Sequence, residues 1–176
     1  MSDVPLNPGP LDITNPLLSD NLQAQAINAS IGGIVAAIPA PFVTTGTGAN
    51  KALGYTVPGG TFALGEVFRV RGWGVNSADV NAKTITVAYG ALTANAIVTG
   101  SGQIWEFEAY FQNVGTVASP VQSEMIRANT AATVVTTAGP ANSTQSIAGP
   151  LDISVSLTAA TAGTMTLNGC IIEKVQ

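Results

Sequence analysis

The chain has 176 residues, of which 46% are hydrophobic and 9% charged, with a net charge of −4. That length suits one domain with a core large enough to outweigh chain entropy, and the hydrophobic share rules out disorder by composition. Charge is far below the roughly 25% of an ordinary globular chain, which implies that neighbouring subunits cover much of the surface.

The six basic residues, Lys51, Arg69, Arg71, Lys83, Arg127 and Lys174, are scattered along the chain. A nucleic-acid binder needs a clustered basic face to displace counterions from phosphate, so no nucleic-acid partner is expected. There is no histidine and a single cysteine, Cys170. Zinc sites and histidine-based triads are therefore excluded, and no internal disulfide can form. Cys170 lies in an apolar run and reads as a buried core thiol, and the lack of a disulfide framework fits assembly in a reducing cytoplasm. Met1 to Pro10 carries neither the basic charge nor the apolar core of a leader. The most apolar stretch, Ile27 to Ile38, is too short for a bilayer and contains Asn28, Ser30, Gly32 and Gly33. Neither a membrane association nor a cofactor is expected.

Met1 to Pro16 contains Pro5, Pro8, Pro10 and Pro16, a spacing that forbids both helix and inner strand and predicts an extended arm. Leu17 to Ala37 can hold one short helix, with Ser19 or Asp20 as N-cap and Leu22, Ile27, Ile31, Ile34 and Ile38 near helical spacing. Pro39 and Pro41 end it, and Thr44 to Asn50 reads as a Gly/Thr linker. Residues 1–50 are thus expected to form an arm, and 51–176 a β domain.

From Leu53 onward the apolar period is two. Over Glu66–Val75, Phe68 and Val70 point one way and Arg69 and Arg71 the other. Lys83–Tyr89 puts Ile85, Val87 and Tyr89 on one face. Gln103–Phe111 puts Trp105, Phe107 and Phe111 opposite Glu106 and Glu108. Leu151–Thr158 turns Ile153, Val155 and Leu157 inward, and Thr164–Ile171 does the same with Met165, Leu167 and Ile171. Tyr55–Val57, Asn95–Thr99, Val121–Ala128 and Ala132–Thr137 are shorter candidates. Short strands separated by Gly, Asn and Pro clusters predict an all-β fold, an antiparallel jelly roll or β-sandwich of about eight strands with an extended N-terminal arm.

Little in the inventory carries chemistry. Glu106 and Glu108 share a strand face at roughly 6–7 Å between Cα atoms, a range at which paired carboxylates can hydrolyse glycosides. Arg69 and Arg71 have the same spacing on another strand, also facing away from an apolar face, and cross-strand Arg–Glu pairing would neutralise all four. The structural reading is preferred and no catalytic residue is assigned. Asn76, Asp79 and Asn81 offer oxygen ligands in one loop, but one carboxylate is too few for a Ca²⁺ site, and turn formation explains these residues. No metal ligand is assigned. Gly72-Trp73-Gly74 and Gly46-Thr47-Gly48 lack the strand–helix context of a nucleotide loop. The parity of Trp73 places it with the arginines, away from the core, either in a subunit interface or covering its own sheet.

The run Leu53-Gly-Tyr-Thr-Val-Pro-Gly-Gly-Thr-Phe62 is followed by Gly65-Glu-Val-Phe-Arg-Val-Arg-Gly-Trp-Gly74. Asn81-Ala-Lys-Thr-Ile-Thr-Val-Ala-Tyr-Gly90 and Ile104-Trp-Glu-Phe-Glu108 come next. This resembles small jelly-roll virion proteins of tailed bacteriophages, which act as head decorations or as tips of head and tail fibres. In that group Tyr-x-x-Pro-x-x-Thr opens the domain, Gly-x-Gly follows the first long strand, and an Asn/Lys-rich turn leads into a strand ending in Gly. The match covers roughly a third of the chain and does not include Met1 to Pro41. The resemblance implies a homotrimeric β module of the virion.

With that family in view, the arm is expected to be the attachment. Twenty extended residues reach ~65 Å, enough to cross from one capsid subunit to its neighbours. Val4, Leu6, Leu11, Ile13, Leu17 and Leu18 are the candidate anchors on the phage major capsid protein. The expected role is a capsid decoration, or cement, protein on the outer surface of the head. The alternative is a fibre tip or head fibre that binds host-surface glycan, with Trp73 and Tyr110 stacking on sugars.

Overall fold

The structure, a computed structural model, describes residues 33–77, 81, 83–98, 102–115, 121–129, 141–143, 146–161 and 164–175, with the backbone alone given for 121–129 and 141–143. The chain forms β1 (Gly33–Ala37), β2 (Phe42–Val43), β3 (Gly48–Val57), β4 (Val67–Asn76), β5 (Lys83–Tyr89) and β6 (Leu92–Val98). It continues through β7 (Ile104–Asn113), β8 (Val121–Asn129), β9 (Ala141–Ser143), β10 (Leu151–Ala159) and β11 (Met165–Val175). The fold is all-β. A larger, seven-stranded sheet runs β1-β11-β4-β7-β8-β9, with β2 also on β11, and a smaller, four-stranded sheet runs β3-β10-β5-β6.

The pairing is nested. β1 pairs with β11, β3 with β10, β4 with β7 and β5 with β6, all antiparallel. This is one long hairpin rolled on itself, so that alternate pairs fall in opposite sheets: an antiparallel jelly-roll sandwich. β8 and β9 extend the larger sheet beyond β7.

Alternation explains which side chains meet between the sheets. On β4, Phe68, Val70, Gly72, Gly74 and Asn76 are buried while Arg71 and Trp73 are exposed. On β5, Ile85, Val87 and Tyr89 are buried, and on β10, Ile153, Val155 and Leu157. Aromatic rings fill one end of the core: Phe62 lies 5.1 Å from Phe68 and 5.6 Å from Tyr89, and Tyr89 lies 5.8 Å from Phe111. Each fully buried ring or branched aliphatic contributes about 1.5–3 kcal/mol. Burial also pushes the Tyr89 hydroxyl up to about 12.

The other end is set by two glycines. A Cβ on Gly72 would stand 2.6 Å from the Phe107 ring, and one on Gly74 would collide with the Thr166 carbonyl and the Trp105 ring. Gly72 and Gly74 make room on the inner face for the two large rings of β7. Trp105 Nε1 then donates to Asn76 Oδ1 at 2.9 Å, which satisfies the buried indole. The Gly-Trp-Gly run is thus a packing device.

β11 departs from simple alternation. Leu167 pairs with Gly74 and Gly169 with Trp73, so Asn168 is an extra residue and the strand is bulged there. Continued alternation from Met165 and Leu167 predicts Ile171 inward. Beyond the bulge the parity flips: Cys170 and Ile172 are buried and Ile171 moves to the outer face. Cys170 is 2% exposed, and burial pushes its thiol up to about 12. The same flip brings Lys174 inward, where its Nζ meets Glu66 at 2.6 Å.

The sandwich begins earlier than the composition change suggests. Gly33–Ala37, expected at the end of a helix, is a strand: Gly33 registers with Lys174, Ile34 with Glu173 and Ala37 with Ile171. Val35, Ala36 and Ile38 pack against the core. The register shift between Ile34 and Ala36 explains why the apolar residues did not alternate by two. The ladder continues past Pro39 and Pro41. Ile38 N–H donates to the Cys170 carbonyl and Thr44 N–H to the Met165 carbonyl, each at 3.0 Å. β1 and β2 are therefore one edge strand, interrupted where proline offers no donor, a position to which strand prolines are confined. The expected linker is a turn into β3: Asn50 Oδ1 accepts from Thr45 N–H at 3.1 Å and Asn50 Nδ2 donates to the Gly48 carbonyl at 2.8 Å. The domain boundary expected at residue 50 is corrected accordingly, because 33–50 supplies the edge of one sheet and the start of the other. The remainder of the expected helix, the strand expected at Ala132–Thr137 and Asp79 lie outside the described residues.

Candidate functional site

The outer face of the larger sheet is built by three neighbouring strands. In register across β11, β4 and β7 stand Glu173, Arg69 and Tyr110; then Ile171, Arg71 and Glu108; then Gly169, Trp73 and Glu106. Arg69 and Arg71 converge on one carboxylate. Glu173 Oε1 lies 2.7 Å from Arg69 Nε and 3.0 Å from Arg71 Nε. The Arg69 guanidinium also reaches Glu108 at 3.5 Å, a diagonal rather than a directly opposed pair.

These contacts shift the groups involved. The hydrogen bond from Arg69 holds the Glu173 carboxyl below its ordinary value, and the Arg71 charge adds to this. The reciprocal bond to Glu173 raises Arg69. Tyr110 is raised chiefly by its hydrogen bond to Glu108, because losing the proton would set two anions together.

Sequence reasoning placed Arg69, Arg71, Glu106 and Glu108 on one outward surface, and the structure brings them to the same face of adjacent strands. It missed Glu173, which receives both guanidinium groups. The bulge explains the omission: counted from Met165, Glu173 should face the core.

Trp73 stands beside this cluster and is 50% exposed. Its position depends on Gly169, because a Cβ there would collide with Cζ2 and Cη2 of the indole. The six-membered ring occupies that space at the bulge, with half of the residue open to solvent. An open depression of about 450 Å³ lies against it, lined by Arg71, Trp73, Glu106, Glu108 and Ile171, with Gly72 and Phe107 beneath. Tyr110 is not in this lining. It sits beside Arg69, one row further along, so the two aromatics expected to act together on sugars are separated by the ion-pair row.

Glu108 is held by Arg69 and Tyr110. Among the described residues no group of three or more acidic or sulfur side chains is placed to hold a metal ion. No helix among them is long and apolar enough to cross a membrane. The expected arm anchors Val4, Leu6, Leu11, Ile13, Leu17 and Leu18 lie outside the described residues. No protein-family model and no curated protein matches the sequence.

Proposed function

We propose that this chain is a structural virion protein of a tailed phage, a capsid decoration protein. It binds the major capsid protein through its N-terminal segment and stabilises the head as a homotrimer on the outer surface. The observation that carries this reading is that residues 33–175 supply every strand of both sheets described. The described strands close the jelly roll from Gly33 onward, and the reading assigns the apolar residues Val4, Leu6, Leu11, Ile13, Leu17 and Leu18 of the preceding segment to contacts with the capsid. The segment joins the sandwich at Gly33, on the edge strand of the larger sheet. At ~3.3 Å per residue it spans about 105 Å when extended, enough to reach across neighbouring subunits of a shell.

Two further observations support assembly. The chain is only 9% charged. On the edge strands, Ile34 is 54% exposed, Val43 44% and Ile97 49%. Apolar side chains on sheet edges favour contact with another chain. Deleting residues 1–20 is the direct test. The truncated protein should remain a folded trimer by analytical ultracentrifugation and fail to co-sediment with capsids. Normal decoration by the truncated chain would rule the reading out.

A further inference from the structure

We infer that the depression at Trp73 is a binding site for a neutral saccharide. The inference goes beyond the decoration reading and does not depend on it.

A pyranose ring has one face of C–H groups and a rim of hydroxyls. It is matched by an aromatic plane beside donors and acceptors that are already oriented. Trp73 supplies the plane: it is half exposed, and its six-membered ring is seated where Gly169 lacks a Cβ. A side chain fixed before the ligand arrives loses little freedom on binding. Arg71 is oriented through Nε by Glu173 at 3.0 Å, and Glu108 by Arg69 at 3.5 Å. A guanidinium offers only donors and a carboxylate only acceptors, so together they can engage hydroxyls in both senses. The volume of about 450 Å³ falls within the range of small-ligand sites.

Charge narrows the ligand class. Arg71 contributes one positive charge to the lining, and Glu106 and Glu108 one negative charge each. The lining is therefore net negative by one, and with Arg69 and Glu173 added the balance is unchanged. Sialylated or uronic-acid glycans gain nothing from such a site, whereas neutral hexoses do not suffer.

The chain carries its own reporter. It has two tryptophans, Trp105 at 1% and Trp73 at 50% exposure. A ligand that stacks on Trp73 changes the emission of that residue and its access to acrylamide. The full-length protein is titrated with neutral glucose-, galactose- and mannose-based oligosaccharides and, in parallel, with sialyllactose. We expect saturable binding to at least one neutral sugar, with a dissociation constant on the order of 0.1–1 mM, and none to sialyllactose. Trp73→Ala should weaken binding at least about 10-fold, and Trp73→Phe should retain most of it. Glu106→Gln, read by calorimetry, should weaken it several-fold, with the urea midpoint unchanged. The inference is overturned by silence toward all neutral sugars, by preference for the acidic one, or by undiminished binding in Trp73→Ala. It also fails if Trp73 in the free protein is already shielded from acrylamide, which would make this face a subunit interface.

Discussion

On the smaller sheet, the side chains turned outward are mostly hydroxyls and amides, with the exposed Ile97 and a loose, solvent-exposed Lys51–Asp152 pair at 3.9 Å among them. Thr158 pairs with Thr84, Ser156 with Thr86, and Thr86 with Asn95. Thr86 Oγ1 donates to Asn95 Oδ1 at 2.7 Å, and Thr56 Oγ1 to Asp152 Oδ1 at 2.6 Å. On the larger sheet, the outward residues are the ion-pair row of Arg69, Arg71, Glu108 and Glu173, with Trp73, Ile104 and Ile171 around it. Both faces cover the same core and obey the same period of two. They differ in what an outward position must do. The polar groups of the smaller sheet pair locally at the exposed surface. The larger sheet holds a partly desolvated network and an exposed indole, each fixed by specific neighbours. Recognition is therefore expected on the face whose residues are individually constrained.

That contrast can be broken most sharply at the bulge. Ile172→Ala should cost about 2–5 kcal/mol, because it empties a core position, whereas Ile171→Ala should cost less than about 1 kcal/mol. Equal losses in urea unfolding would mean that β11 is not bulged at Asn168. Gly74→Val comes next: its side chain would meet the Thr166 carbonyl and the Trp105 ring, at a cost of about 1–3 kcal/mol. A neutral result would refute the tight approach of β4, β7 and β11.

Glu173→Gln should have a smaller effect, about 1 kcal/mol at neutral pH, because the pairs it breaks are partly exposed. The Glu173 carboxyl is depressed when folded, so its contribution is fully present above the ordinary value of 4.5. It is lost as pH falls through the lower folded value. The stability gap between the native chain and the variant should therefore close in acid. A gap that persists at pH 2 would point to packing instead of charge.

The smallest effects belong to the other face. Thr86→Val and Ser154→Val should each change stability by no more than about 0.5 kcal/mol in either direction. A loss as large as that of Glu173→Gln would remove the distinction between the two surfaces. Cys170 offers a check without mutation: with its thiol buried and pushed up to about 12, it should resist a thiol reagent at pH 8 and react fully in denaturant.

The sequence by itself determined the all-β class and the inward and outward sets of β4, β5, β7 and β10. Alternation is a local property: the pleat sends successive side chains to opposite faces, whatever the partner strand is. Phe68 against Arg69, and Trp105 against Glu106, can be read from a few residues. Only the tertiary structure decided what depends on pairing between distant segments. The bulge at Asn168 exists because β11 must fit beside β4 at Trp73, far away in the chain, and it reverses the facing of Cys170 through Val175. Glu173 thereby joins the two arginines, Ile171 reaches the depression and Lys174 meets Glu66. The edge strand at Gly33 was hidden in the same way. Its isoleucines Ile34 and Ile38 fall at helical spacing, and β11 supplies the partner that makes the segment a strand. A one-residue slip inverts every later side chain, so these assignments rest on register, which no local pattern encodes.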